Sequence, residues 1–451
     1  MSDIIAAIAT GRAPCAIGIL RLSGPGCAAL TGRVFTPKQP FADAPDRRLV
    51  LGLLHDRQGR VIDECLGVVC RAPHSYTGEE TVELQCHGSP AMLAAGLEAL
   101  LAAGARQAGP GEFTRRAFLN GKLDLTQAEA VVDLIDAETA DAAANAAGQL
   151  GGALKRAIGP VYDGLTDLCS HFHAVLDYPD EDIEDFGAAE LSGALDRAGA
   201  ALQELLATYE KGRHLRQGVR AVLLGKPNAG KSSLLNRLAG YDRVIVTDIA
   251  GTTRDTVEEP VRVGRVLLRL TDTAGIREAG DAIEALGVAR SEQAAREAEL
   301  ALFVCDASQP LTDEDRRAIE AAKCAPRSLA LCNKSDLPAA VSPDELPFDT
   351  VLTVSARTGA GLDALPALLE GWFLGENACD GSLLTNPRQF GALDRASRAI
   401  ARAKAGLSLG VTPDAVLTDV EEAMAALGEV TGRTVREDIT NRIFERFCVG
   451  K

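Results

Sequence analysis

The stretch Gly225-Lys226-Pro227-Asn228-Ala229-Gly230-Lys231-Ser232 limits the fold more than any other part of the chain. It follows the apolar run RAVLL and precedes SLLNRLAG, which is a strand, a loop and a helix in that order. Glycines at both ends of such a loop let backbone amides turn inward around phosphate oxygens, and the helix N-terminus adds its positive end. Lys231 is placed to reach the terminal phosphates and Ser232 to ligate Mg2+. Four further apolar runs, RVLLRLTD, LALFVCD, SLALCNK and TVLTVSA, alternate with helical stretches through residue 372 or so. Near-continuous apolar strands separated by helices predict a parallel sheet covered on both faces.

Three more motifs stand at the ends of those runs. Asp272-Thr273-Ala274-Gly275 follows VLLRLT, with the Asp suited to the magnesium shell and the Gly amide to a terminal phosphate. Asn333-Lys334-Ser335-Asp336 follows SLALC. Its Asp336 can accept two hydrogen bonds from the amino group and ring N–H of guanine, which adenine does not offer. Ser355-Ala356-Arg357 follows the last strand, where a backbone amide can meet the guanine oxygen. Four motifs in this order predict GTP as the ligand. Between the first two lies Gly251-Thr252-Thr253-Arg254-Asp255, whose threonines can complete the magnesium shell and sense the γ-phosphate. Residues from about 245 to 256 therefore read as a switch.

Hydrolysis raises a question at this stage. The position after DTAG, where Ras-type enzymes carry a water-orienting Gln, is Ile276. Either turnover is poor or another group supplies the polar function. Arg277, Glu278, Asp281 and Glu284 follow closely, and Asn228 could offer an oxygen to a monovalent cation.

Around this α/β unit the composition differs. Residues 1 to about 120 mix short β-type runs (CAIGILRL, ECLGVVC, TVELQC) with one Ala/Leu-rich helix near 91–103, which reads as α+β. Residues from about 121 to 216 are helical. Thr126-Gln127-Ala128-Glu129 has the pattern of a capping box, and Leu191, Leu195, Ala198, Leu202, Leu205 and Tyr209 mark one face of an amphipathic helix. DYPDEDIEDF (177–186) reads as an exposed acidic loop. Helices return after about 386, and Ile439, Ile443 and Phe447 give the last one an apolar face. Helical zones on both sides predict that the α/β unit is inserted into one helical domain, with a contiguous arrangement as the alternative. The expected boundaries are 1–120, 121–216, 217–372 and 373–451.

The balance of 47 basic and 63 acidic residues, a net charge of −16, repels nucleic-acid phosphates over most of the surface. Contact with RNA then needs a local basic patch or a partner protein. Eleven scattered cysteines suggest a reducing cytoplasm. The start lacks the basic region of a signal peptide, and no apolar run is long enough to span a bilayer, so no membrane role is expected.

With the phosphate loop, TDIAGTTRD, DTAGIRE and the terminal FCVGK side by side, the chain resembles the tRNA-modification GTPase family called MnmE or TrmE. The resemblance runs the full length and includes GILRLSG, HSYTGEETVELQCHG and PGEFTRRAFLNGKLDLTQAEAVVDLIDA. It implies a multidomain protein: an N-terminal α+β folate-binding and dimerisation domain, a discontinuous all-helical domain and an inserted α/β G domain. It implies a cytoplasmic, potassium-activated GTPase that works as a homodimer with an FAD-dependent partner of the MnmG type, as a heterotetramer. The pair adds an aminomethyl or carboxymethylaminomethyl group to carbon five of the wobble uridine of certain tRNAs, with a tetrahydrofolate derivative as one-carbon donor.

The resemblance also carries residue roles. Asn228, Thr247, Ile249 and Thr252 match a potassium site, Ser232 and Thr253 the magnesium ligands, and Glu284 the carboxylate that positions water. Ala229, Gly230, Lys231, Ser233, Asp248, Ala250 and Gly251 complete the expected phosphate and switch contacts. Arg21, Glu83, Lys122 and Lys451 match folate-binding positions. Singly, Arg21, Glu83 and Lys122 also read as ordinary surface charges. Cys448 reads either as a nucleophile or polar participant near the one-carbon donor or as an unreactive thiol. The competing reading of the whole is a regulatory or ribosome-assembly GTPase switch, for which a basic RNA-binding face would be expected.

Overall fold

The computed structural model describes residues 3–11, 13–177, 188–241, 258–271, 284–375, 380–433, 443–445 and 447–450. The chain forms two compact units, one from Met1–Val132, Gln149–Ala198 and Arg395–Lys451, the other from Asp133–Gly148 and Gly199–Asp394.

The first unit opens with a seven-stranded sheet in the order β3-β4-β5-β6-β2-β1-β7. Its strands are β1 (Ile5–Ile8), β2 (Cys15–Ser23), β3 (Phe35–Pro37), β4 (Val50–His55), β5 (Val61–Cys70), β6 (Thr81–Gly88) and β7 (Arg106–Gln107). All neighbours pair antiparallel except β1 and β7. The three runs read as strands fall on β2, β5 and β6. The Ala/Leu-rich helix is α2 (Pro90–Ala102), the second after the short α1 (Cys27–Thr31), and it buries Leu93, Gly96, Ala99 and Leu100. Alternation along β6 puts Val82, Leu84 and Cys86 into the core.

Phe35 and Phe41 meet edge to face at 4.9 Å in that core. Gly67 on β5 lies against both rings, and a Cβ there would stand 2.8 Å from Phe35 and 2.9 Å from Phe41. Gly67→Ala is therefore expected to destabilise this unit by about 1–3 kcal/mol through overpacking, read as a lower urea midpoint at unchanged m-value.

Helices follow: α3 (Glu112–Leu119), α4 (Leu125–Ile135), α5 (Ala140–Leu150), α6 (Ala153–Asp177) and α7 (Ala188–Ala207). The start of α4 differs from the sequence expectation. Asp124, not Thr126, caps it: the Asp124 carboxylate accepts from the Gln127 amide at 2.9 Å, and Gln127 Oε1 accepts from the Asp124 amide at 3.0 Å. The reciprocal box is Asp124 with Gln127, and Thr126 merely donates its hydroxyl to Asp124 at 2.6 Å. On α7, Leu191, Leu195, Ala198 and Leu202 are buried, whereas Leu205 is half-buried and Tyr209 begins the next helix, α8 (Tyr209–Gln217). Of the stretch 177–186 read as an acidic loop, Asp177 is the last residue of α6, and the remainder, like Ile439, lies outside the described residues. Phe444 and Phe447 are buried with Ala128, and Ile443 packs against them.

The second unit is built on a six-stranded sheet in the order β13-β12-β11-β8-β10-β9. It comprises β8 (Val219–Leu224), β9 (Glu258–Val263), β10 (Val266–Thr271), β11 (Leu300–Asp306), β12 (Arg327–Asn333) and β13 (Val351–Thr353). All pairs are parallel except β9 with β10. Each apolar run read as a strand becomes one, and β11 is buried along its whole length. The intervening helices are α9 (Lys231–Tyr241), α10 (Glu284–Glu297), α11 (Asp313–Ala322) and α12 (Ala364–Phe373). The α/β unit is thus an insertion, because from Arg395, within α13 (Pro387–Ser408), and on through α14 (Pro413–Thr431) the chain belongs again to the first unit. Residues 133–148 join the inserted unit, held by ion pairs of Asp133 with Arg216 at 2.7 Å, Asp141 with Arg265, and Glu138 with Arg269. Among the described residues no helix is long and apolar enough to cross a membrane.

Candidate functional site

The strand order of the second sheet reverses at β8, which lies between β10 and β11. Loops at the carboxyl ends of strands flanking such a reversal splay apart and leave a crevice. The phosphate loop occupies it, running from the end of β8 to the first residue of α9. Its shape requires particular residues. Gly225 has φ 145° and stands so close to β11 that a Cβ would lie 2.1 Å from the Val304 carbonyl oxygen. Gly230 has φ 98°, and its Cβ would lie 2.1 Å from Asn333 Nδ2. Asn228 adopts φ 63° at the exposed apex, and Ala229 is fully buried. Lys231 folds its ammonium back onto the loop, donating to the carbonyls of Gly225 at 2.6 Å and Lys226 at 2.8 Å. Ser232 and Ser233 follow it, exposed, in the first turn of α9, where amides have no carbonyl partners within the helix. A hydroxyl beside the amides of a helix start suits an anion with its Mg2+.

The neighbouring loop is locked to this one. Asn333, 2% exposed at the end of β12, donates Nδ2 to the Ala229 carbonyl at 2.8 Å and accepts the Ala356 amide on Oδ1 at 2.9 Å. One side chain thereby ties the phosphate loop to both loops expected to hold the base. Lys334 turns with φ 64° and sends Nζ to Asp306 Oδ2 at 2.6 Å. Asp336 accepts the Ser355 hydroxyl at 2.7 Å, and Arg357 approaches its other oxygen at 3.6 Å. The Ser355 hydrogen bond, helped by the charges of Arg357 and Lys334, holds the Asp336 carboxyl below its ordinary range. Asp336 is thus an ionised acceptor at neutral pH, suited to a partner with two adjacent donors. Asp306 is also held low: burial pushes it up, but Lys334 and Ser308 more than offset this.

In the first unit a second cluster forms at β2, β6 and the chain end. Arg21 and Glu83 are cross-strand partners and share an ion pair at 2.8 Å. Arg21 also donates to the Gly450 carbonyl at 3.4 Å, with its guanidinium 5.7 Å from the Tyr76 ring centre and 5.8 Å from that of Phe113. The tail is fixed by a bridge of Val449 to Pro110 and by the Gly111 amide, which donates to the Cys448 carbonyl at 3.3 Å. Gly450 takes φ 101° against Ile8, where a Cβ would lie 2.4 Å from the Ile8 carbonyl oxygen. Cys448 is exposed, and Lys122 donates to the Pro73 carbonyl at 3.1 Å.

Comparison with known proteins gives the family. A family model described as "MnmE helical domain" matches residues 125–448, and one described as "GTP-binding protein TrmE N-terminus" matches residues 4–122. A Roseiflexus sp. (strain RS-1) protein, "tRNA modification GTPase MnmE", is 45% identical over 100% of this chain and 99% of its own length. The chain belongs to the MnmE family. Relatives of the same description from Symbiobacterium thermophilum, at 44% identity over 100% of this chain and 99% of their own, and from Aquifex aeolicus, at 41% over the whole of both, agree.

Of the expected site residues, Asn228 through Ser233, Asn333, Lys334, Asp336, Ser355, Ala356 and Arg357 come together at the ends of β8, β12 and β13. Thr247, Asp248, Ile249, Ala250, Gly251, Thr252, Thr253, Asp272, Thr273, Ala274, Gly275 and Lys451 lie outside the described residues. Glu284 is the first residue of α10, and its side chain lies outside them too. Sequence reasoning missed Asp306, Asp315 and Lys226. Thr312-Asp313-Glu314-Asp315 does carry a visible capping pattern, but nothing in it points to Lys226, 89 residues earlier.

Proposed function

We propose that this chain is a GTP hydrolase acting in tRNA modification, with the nucleotide held in the crevice at β8. The observation that carries the reading is the Asn333 side chain, which joins the Ala229 carbonyl and the Ala356 amide and so makes phosphate loop and base loops one pocket. Lys231 and the amides at the start of α9 would take the phosphates, Ser232 with Thr253 and Asp272 would hold Mg2+, and Asp336 would select guanine. Magnesium held there would supply charge neutralisation to the phosphates. The bent Asn228 at the loop apex suits a potassium ion shared with Thr247, Ile249 and Thr252, and Glu284 would position water in place of the Gln that Ile276 replaces. Potassium-dependent contact between two G domains of a homodimer fits this arrangement.

The cluster around Arg21 is the proposed folate site. A guanidinium 5.7 and 5.8 Å from two aromatic ring centres, paired with Glu83 and touching the chain end next to Lys451, orients the carboxylate for an amino-pterin edge, and basic groups further along the site suit the glutamate tail at the other end of the ligand. Glu83 offers its second oxygen, since Arg21 meets only Oε1. Lys122 and Cys448 belong to the same proposal, with Cys448 as a participant near the donor carbon. Arg21→Met is expected to weaken binding of a reduced folate about tenfold, the loss of roughly one charge-assisted hydrogen bond, measured by calorimetry with GTP turnover as the unaffected control. The proposed domains are 1–120, 121–216 with 373–451, and 217–372. The proposed setting is the cytoplasm, with an FAD-dependent protein of the MnmG type as partner and carbon five of the wobble uridine as target. Nucleoside analysis of total tRNA from cells lacking the gene tests the whole reading: loss of a carbon-five-modified wobble uridine supports it, and an unchanged profile refutes it.

A further inference from the structure

Asp315 is fully buried at the third position of α11. Its Oδ2 accepts the Thr312 amide at 2.9 Å and the Thr312 hydroxyl at 2.8 Å, which fixes the carboxylate rigidly in a capping box. The same oxygen takes Lys226 Nζ at 2.9 Å. A buried carboxylate that meets a lysine of the phosphate loop is more than a helix cap, because a cap needs no distant cation. Lys226 is 16% exposed, so this pair is poorly screened by solvent.

Lys226 matters for what its backbone does. Its carbonyl is one of the two that hold the Lys231 ammonium, and it accepts the Ala229 amide at 3.4 Å. Fixing the Lys226 side chain fixes the peptide that shapes the turn before Asn228. The segment from Asp306 to Asp315 thus braces the crevice twice without belonging to any nucleotide motif. Asp306 grips Lys334 on the base side, and Asp315 grips Lys226 on the phosphate side.

We infer that Asp315 is a positioning residue for the phosphate loop, acting through Lys226 to preorganise it for a nucleotide diphosphate moiety. The inference rests on the guanine-nucleotide reading above. A preset loop loses less freedom on binding, and the benefit is the same for ground state and transition state. The expected signature is therefore in affinity and KM rather than kcat.

The experiment is a double-mutant cycle on the full chain, with a fluorescent GDP for affinity and phosphate release for turnover. Asp315→Asn and Lys226→Met are each expected to raise the GDP Kd about tenfold, with kcat at saturating GTP within about twofold of the parent. The double variant is expected to lose no more than the weaker single variant, because the second change removes a group whose counter-charge is already gone. Lys226→Met leaves the capping box of α11 untouched, so a purely structural Asp315 predicts normal affinity for that variant and would refute the inference. Multiplicative losses in the double variant, or a fall in kcat at unchanged Kd, would also refute it. A parent protein that fails to bind GDP would overturn the underlying nucleotide reading as well, and is thereby told apart from parent binding with unaffected variants.

Discussion

Asp336→Asn is expected to weaken GTP binding by about three powers of ten and to let xanthosine triphosphate compete. The carboxylate can take both the ring N–H and the amino group of guanine. It is ready to do so because Ser355, and beyond it Arg357 and Lys334, hold it ionised. An Asn amide has the same shape but turns one acceptor into a donor, which then faces the guanine amino group. Two opposed donors without water between them leave both unsatisfied, and that loss, not the missing attraction alone, sets the size of the effect. Xanthine has a carbonyl where guanine has the amino group, so the variant should bind it better than the parent does. The pH dependence has a definite sign. The Asp336 carboxyl titrates below its ordinary value, so the preference for guanine should persist through mildly acid pH and fade only as pH falls through that lowered value. Competition against a fluorescent GDP measures all three nucleotides. A variant that keeps its GTP affinity and gains none for the xanthine nucleotide would place guanine recognition elsewhere.

Lys231→Met is expected to lower kcat/KM for GTP by about a thousandfold, since a single preorganised donor at developing charge is worth roughly two to three powers of ten and this one is also a full cation. The ammonium lies on the carbonyls of Gly225 and Lys226, at the phosphate loop itself. Methionine fills similar space without the charge, so a correctly folded variant with greatly slowed phosphate release is the expected result. Turnover within a few-fold of the parent would show that Lys231 does not meet the reacting phosphate.

The sequence was most legible where chemistry and backbone geometry coincide. The glycines of the phosphate loop announce themselves because no other residue tolerates a carbonyl at 2.1 Å, as at Gly225. The five apolar runs of the inserted sheet are strands: β8, β10, β11 and β12 are buried on both faces and need no alternation to be recognised, while β13 is a short, partly exposed edge. β9, with Glu258, Glu259 and Arg262 among its six residues, gave no such run and appears only through its antiparallel pairing with β10. Thr126 was a plausible cap with the right spacing, but Asp124 two residues earlier offered a stronger acceptor, and the helix began there. Pairings between distant residues were not legible at all. Arg21 with Glu83 depends on strand register, Lys226 with Asp315 on two loops meeting, and Glu138 with Arg269 on residues 133–148 joining the inserted unit. Local pattern carries no information about such contacts until the sheet order is known.

The central claim is that Lys231 and Asp336, 105 positions apart in sequence, serve one guanine nucleotide. Titration calorimetry of the full chain with GDP and with ADP, each with Mg2+, tests it most directly. The account predicts one GDP per chain and ADP binding at least about a hundredfold weaker, with the difference abolished in Asp336→Asn. Equal affinity for the two nucleotides in the parent would contradict it.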